Sequence, residues 1–252
     1  MKIAFCGKGG VGKSTIAALL CRALRERGLS VLAIDADPSP HLGRLLGFRE
    51  EEKLVPLAEM RELLAERAQK SGPYYTLNPR IEDLPEKFML VRDGLRLMVL
   101  GAIREAGGGC ACPEQTVLRR LLSHLVLQAQ EAVVVDMEAG VEHFGRATVV
   151  PMDFILVVVQ PYRGSLETAK QILRLATELK LSNVLIVGNT MRTPEDEALV
   201  REGLGTTPVI SFPEDPEVAA AERAGRSLLE IEGPAMEAAR RLTQFLLSQG
   251  DL

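Results

Sequence analysis

Three groups of residues have types and spacings suited to chemistry. Gly7-Lys8-Gly9-Gly10-Val11-Gly12-Lys13-Ser14-Thr15 is a glycine-rich run closed by Lys-Ser-Thr. Its glycines let backbone N–H groups turn inward on an anion without side-chain obstruction. Lys13 suits the outer phosphates of a nucleotide and the Ser14 hydroxyl suits Mg²⁺. The second group is carboxylate. Asp35 and Asp37 stand in Asp35-Ala36-Asp37-Pro38, and Asp136 ends the apolar run 133–135. Aspartates at strand ends beside a phosphate loop serve Mg²⁺, directly or through water, or orient an attacking water. The third group is thiol, in Gly107-Gly108-Gly109-Cys110-Ala111-Cys112-Pro113. In extended backbone residues i and i+2 project to one side, so Cys110 and Cys112 offer two thiolates to one metal. Two ligands leave a tetrahedral site incomplete. The same pair from a symmetry mate would complete it on a two-fold axis.

Each group has a plainer reading beside it. Lys8 fits a solvated loop lysine, and the Asp-Pro turn fits a cap for a following helix. The cysteines fit a redox pair or chance thiols in a glycine-rich loop. Cys6 and Cys21 fall inside an apolar strand and helix and are expected as core residues. His41 and His124 lack metal-ligand spacing to other donors and are expected to be structural; His143 fits either a contact to the metal-binding partner or a local hydrogen bond.

The positioning elements follow from hydrophobic periodicity. Residues 2–6 form a short apolar strand directly before the glycine run, and 16–27 a helix directly after it, so the loop joins strand to helix. The N-terminal end of that helix adds positive potential for phosphate. Residues 29–34 form a second strand and 41–46 a helix. Residues 50–53 form a charged surface link, 57–68 a helix and 74–77 a short strand. Residues 88–91 and 95–100 flank Arg92-Asp93-Gly94 as a hairpin. A helix over 114–129 begins with Pro113 in its first turn. Strands follow at 133–135, 154–159, 183–188 and 209–212, with helices at 165–179, 217–224 and 234–247. The pattern predicts a doubly wound α/β fold with a mainly parallel sheet and helices on both faces. One domain is expected over 1–252, with an inserted segment at about 50–112 that carries the C-x-C pair.

The 252 residues are 46% hydrophobic and lack Trp, so an aliphatic core is expected. The formal net charge of -4 and pI near 5.6 argue against a general nucleic-acid binder. No apolar stretch has the length of a membrane span. The chain begins directly with a strand rather than a signal peptide. A soluble cytoplasmic protein with reduced thiols is expected. The apolar stripe Ala238, Leu242, Phe245 and Leu246 on the last helix has too few basic neighbours for stable membrane insertion, so a docked helix is expected.

The loop K-G-G-x-G-K-[ST] resembles the deviant phosphate loop of the MinD/ParA/nitrogenase-iron-protein class of P-loop ATPases. The resemblance implies ATP as ligand and a homodimer in which Lys8 reaches the partner's nucleotide. It implies that Asp37, in switch I, positions the attacking water. The segment from Asp136 through Glu138, Gly140 and His143 becomes switch II. Asn189 reads the adenine edge, and Pro213 and Asp215 form a second adenine-side loop. The C-x-C pair, its C-P-E continuation and the D-M-E-A-G-V-E-H run narrow the resemblance to the CooC family of nickel-insertion ATPases. Asn78-Pro79-Arg80 and the run from Asp83 to Phe88 fit the same family. The resemblance implies an ATP-dependent metallochaperone that binds Ni²⁺, or Zn²⁺, at Cys110 and Cys112 of two subunits. Its client would be carbon monoxide dehydrogenase or a related nickel enzyme. The readings kept beside it are a MinD/ParA-type ATPase switch and an iron-protein-like electron carrier.

Overall fold

The computed structural model describes residues 1–37, 39–48, 56–57, 60, 63, 70–71, 74–75, 88–100, 131–137 and 152–249. The predicted strand–loop–helix start is present as β1 (Lys2–Cys6) and α1 (Lys13–Glu26). The chain continues through β2 (Ser30–Ala36), α2 (Leu42–Leu45), β3 (Lys70–Ser71), β4 (Tyr74–Tyr75), β5 (Leu90–Arg92), β6 (Leu95–Val99) and β7 (Glu131–Met137). Then come β8 (Phe154–Val159), α3 (Arg163–Glu178), β9 (Val184–Met191), α4 (Pro194–Leu204), β10 (Ile210–Pro213), α5 (Pro216–Arg223) and α6 (Pro234–Gln249).

Eight strands form one sheet in the order β10-β9-β8-β1-β7-β2-β6-β5. All neighbours are parallel except β5 with β6. The β5–β6 pair is the predicted hairpin, turned by Asp93 and Gly94 at φ 48° and 75°. Two consecutive positive-φ residues give the turn whose twist matches paired strands. Residues 90–99 of the segment expected as an insertion therefore lie in the main sheet, where β6 runs parallel to β2.

Strand alternation sorts side chains to two faces. Ile3 and Phe5 of β1, Val31 and Ala33 of β2, and Leu156 and Val158 of β8 pack on α1, α2, α5 and α6. On the opposite face Cys6, Ile155, Val157 and Val159 pack on Leu166, Ala169 and Ile172 of α3 and on Val200 of α4. Leu32, Ile34, Met98, Val133 and Val135 continue that face toward the β6 edge. A parallel strand covered on both sides must be apolar throughout, and β8, FILVVV, is buried at every position. Helix α1 presents Ile16, Leu19, Leu20 and Leu24 as one apolar stripe, each at most 1% exposed. Burying one such side chain contributes about 2 kcal/mol.

Helix α6 docks as expected, with Ala238, Ala239, Leu242 and Leu246 buried and Phe245 packed on the core margin. Arg240 joins it to α1 through Glu26, at 2.8 Å. Among the described residues no helix is long and apolar enough to cross a membrane.

Candidate functional site

Strand order reverses around β1, which has β7 on one side and β8 on the other. In a doubly wound sheet, ligands bind beyond the carboxyl ends of the strands at that reversal. The glycine-rich run sits there, leaving the end of β1 and opening α1. Two of its glycines are dictated by close approach. At Gly7, with φ 138°, a Cβ would sit 2.5 Å from the Val158 carbonyl oxygen of β8. Gly12 is the N-cap of α1 in the left-handed region, φ 91°, and a Cβ there would overlap the Asn189 side-chain amide. No side chain caps α1. Its first N–H groups are thus left for an anion.

Lys13 starts α1 and is 6% exposed; its ammonium donates back to the Lys8 carbonyl at 3.5 Å. The cation therefore lies back along the loop that Lys13 closes. The Thr15 hydroxyl donates to Glu222 of α5, a partner more than two hundred positions downstream. Val11 is buried, while Gly9 and Gly10 are exposed at the loop tip.

The predicted carboxylates converge below the loop. Asp35 and Asp136 are register partners on adjacent parallel strands β2 and β7. Both are buried, at 0% and 1% exposure. Burial pushes the Asp35 carboxyl up to about 6, against three backbone N–H groups that pull it down. Asp35 Oδ1 accepts from the Asp37 N–H at 3.1 Å, and Oδ2 from the His41 and Leu42 N–H groups at 2.9 Å each. Asp35 is thus the cap of α2 as well as a metal-site candidate, and the plainer reading of the Asp-Pro turn holds alongside the other. Asp37 Oδ1 accepts from the Ser39 N–H at 2.8 Å, holding the turn that carries it.

Burial pushes Asp136 further, to about 7, with the neighbouring Asp35 adding to the rise and the Ser14 hydroxyl bond opposing it. Its Oδ1 is buried without a hydrogen-bond partner among the described residues. A buried carboxylate oxygen without a donor is costly. Beside a serine hydroxyl and under a phosphate loop, it has the chemistry that a hydrated divalent cation satisfies. Ser14, Asp136 and Asp35 thus fit Mg²⁺.

On the far side of the loop, Asn189 at the end of β9 donates from Nδ2 to the Val11 carbonyl at 2.7 Å. The next residue, Thr190, holds φ 54°, rare for a β-branched side chain, with its hydroxyl bonded to the Asn189 carbonyl at 2.8 Å. Pro213 ends β10 in register with Met191. Asp215 is 7% exposed; its oxygens accept from the Glu217 N–H at 2.9 Å and the Ala235 N–H at 3.1 Å. That carboxylate fixes the starts of α5 and α6 together and so sets the loop in which it lies.

The structure brings Lys8, Lys13, Ser14, Asp35, Asp136 and Asn189 to one end of the sheet. Cys110, Cys112, Glu138, Gly140 and His143 lie outside the described residues, as do Pro38, His124 and residues 78–87. Among the described residues no three His, Cys, Asp or Glu side chains group as a metal site. Cys6 and Cys21 are fully buried, as expected; burial pushes the Cys6 thiol up to about 12 and Cys21 up as well. Three site neighbours escaped the sequence reading: Tyr162, Glu222 and the Arg192–Glu214 pair, the last joined by two bonds of 2.6 and 3.0 Å. Only Tyr162 had a signal, its place directly after a strand at the sheet's reversal point.

The geometry is that of a nucleotide site, and comparison with known proteins agrees. The family model described as CobQ/CobB/MinD/ParA nucleotide binding domain matches residues 3–228. The chain belongs to this family. The carbon monoxide dehydrogenase accessory protein CooC of Rhodospirillum rubrum is 38% identical, over 99% of this chain and 97% of its own. An ATP-binding protein of Methanocaldococcus jannaschii, MJ0823, is also 38% identical, over 98% of each chain. Among solved structures, the MinC:MinD cell division complex of Aquifex aeolicus contains a chain that superposes with a TM-score of 0.72 at 21% identity. The match covers 100% of this chain and 97% of that one.

Proposed function

We propose that this ATPase is a metallochaperone that carries Ni²⁺ to a nickel enzyme, carbon monoxide dehydrogenase or a relative of it. The observation that carries this reading is the end-to-end likeness to an accessory protein of that enzyme, at 38% identity. The Cys110-Ala111-Cys112 run adds two soft ligands that nucleotide chemistry does not need. Nickel is cargo here; two copies of the chain, each contributing both cysteines, hold it in a four-thiolate site. One domain over 1–252, with the cysteines in a segment within about 50–112, would give the site its place. The protein works in the cytoplasm.

The nucleotide half of the proposal gives each site residue a role. The backbone from Gly9 to Thr15 and the Lys13 ammonium hold the phosphates. Ser14 holds Mg²⁺, with Asp136 and Asp35 contributing directly or through water; when bound, that ion neutralises phosphate charge. Asp37 positions the attacking water, and Lys8 reaches the nucleotide of the partner copy. Asn189 and the loop of Pro213, anchored by Asp215, face the base. ATP draws two copies together, and loss of the γ-phosphate relaxes the Asp37 and Gly140 segments. The spacing of the two C-x-C pairs then changes, so metal affinity follows the nucleotide state. By linkage, metal must change dimerisation or nucleotide affinity in return.

The test is anaerobic Ni²⁺ and Zn²⁺ binding with mass by light scattering, on the wild type and a Cys110→Ser/Cys112→Ser variant. One metal per two chains, with both metal and dimer lost in the variant, is the expected result. Metal binding unchanged in the variant sinks the proposal and leaves a MinD/ParA-type ATPase switch. A brown iron–sulfur chromophore in anaerobic preparations would instead favour the electron-carrier reading.

A further inference from the structure

Lys8 does not extend into solvent. Its ammonium lies 5.2 Å from the centroid of the Tyr162 ring, over the first turn of α3. It packs so close to Gly164 that a Cβ there would come within 2.7 Å of the Lys8 Nζ. This is an awkward place for a cation. Tyr162 is the N-cap of α3 and provides no side-chain cap, so the helix presents its positive end. Two features offset that repulsion. One is the π-face of the ring. The other is Glu167 one turn along, which feels the charge of Lys8 though it is bonded to Arg163. The resting position is thus held by a small margin, and it stands on three handles: the ring, the missing Cβ at Gly164 and a nearby carboxylate.

We infer that Tyr162 is a positioning residue for Lys8, parking the ammonium against α3 of its own protomer, and that ATP-driven pairing draws it off the ring. This rests on the reading that Lys8 serves the nucleotide of the partner copy. Parking keeps the lysine away from its own nucleotide and sets a threshold that the paired state must exceed. A cation–π contact at a partly exposed site corresponds to a factor of about three in an equilibrium. Each dimer releases two lysines, so the dimerisation constant carries the square, about tenfold.

Four proteins are compared, wild type, Tyr162→Phe, Tyr162→Leu and Gly164→Ala, with Lys8→Arg as a fifth for assignment. Gly164→Ala keeps the ring and, in a helical first turn, has no folding penalty, yet its methyl group displaces the ammonium. With lysine labelled with ¹³C at Cε, the Lys8 methylene, assigned through Lys8→Arg, should be shifted upfield by the ring in wild type and Tyr162→Phe. It should return to the ordinary lysine position in Tyr162→Leu, in Gly164→Ala and in wild type saturated with adenylyl imidodiphosphate. Sedimentation with that analogue should show a dimerisation constant about tenfold higher in Tyr162→Leu and Gly164→Ala, and unchanged in Tyr162→Phe. An unshifted Lys8 signal in the wild type overturns the inference. So does a dimerisation constant in both Tyr162→Leu and Gly164→Ala at or below the wild-type value. A wild type that stays monomeric with the analogue is a different failure: it removes the cross-protomer role of Lys8, and the release step falls with it.

Discussion

Replacing Asp136 by Asn should strengthen the ligand-free fold at neutral pH and weaken its response to nucleotide. Asp136 is 1% exposed, and its Oδ1 has no hydrogen-bond partner among the described residues. Burial raises its pKa from 3.8 to about 7. The folded-state value lies above the unfolded one, so the folded protein keeps a proton that the unfolded chain releases. Stability therefore falls as pH rises from about 4 to about 7 and levels off above that window. At about 1.4 kcal/mol per pKa unit, the ionised carboxylate costs the fold a few kcal/mol at pH 8. Asparagine has the same shape, accepts the Ser14 hydroxyl and does not titrate. Urea unfolding without nucleotide, between pH 5 and 8, should show a declining stability for wild type and a flatter profile for Asp136→Asn. The two should converge toward pH 5, and the variant should be the more stable at pH 8. With Mg²⁺ and ADP the order should reverse, because the anionic oxygen is what the cation would satisfy. A variant less stable than wild type at pH 8 that kept the whole Mg²⁺-dependent shift in melting temperature would refute the reasoning.

Three further perturbations probe other parts of the argument. Gly12→Ala should abolish fluorescent-ADP binding, since its methyl group meets the Asn189 amide at a left-handed backbone position; retained affinity would mean that the loop is free to shift. Asp215→Ala should lower the unfolding free energy by about 2–3 kcal/mol, through a lost helix cap and an orphaned Ala235 N–H, as read by denaturant titration. Arg240→Ala should cost less than about 1 kcal/mol, and less still in high salt, because its bonds to Glu26, Glu232 and Glu237 are near the surface.

What the sequence discloses here depends on how far apart the interacting groups lie along the chain. The phosphate loop is legible because its glycines, lysine and serine sit within nine consecutive residues, and the flanking strand and helix are equally local. The hairpin at Asp93-Gly94 is legible for the same reason. Strand β8 was legible as an apolar run, whereas the strand expected at 183–188 extends to Met191 because Met191 pairs with Pro213 of β10. The carboxylates were found as residue types at strand ends, but not the side-by-side register of Asp35 and Asp136, which needs the order of the sheet. The turn was read locally as a cap for the following helix, but that Asp35 is the acceptor, serving N–H groups six and seven positions on, needs the folded turn. Asp215 was singled out for a nucleotide loop; its bond to Ala235, 20 positions away, exists only once α6 is docked. The Lys8–Tyr162 contact belongs to the same kind, because only the parallel pairing of β1 with β8 brings their ends together.

The position of β1 has a consequence for how the chain reaches this state. Strand β1 leaves the ribosome before the two strands that bracket it: Ile3 pairs with Val134 and with Phe154, and Cys6 bonds to the Leu156 carbonyl, 150 positions downstream. Closing so long a loop has an entropic cost before any contact repays it, which slows folding. Until β7 and β8 emerge, β1 has neither of the strands it pairs with. It is then exposed to wrong partners and to chaperones. The phosphate loop is therefore held in place only after β7 and β8 have been made, so nucleotide binding reports on synthesis at least as far as β8. A stalled or truncated chain ending before residue 154 should be unable to hold nucleotide at all.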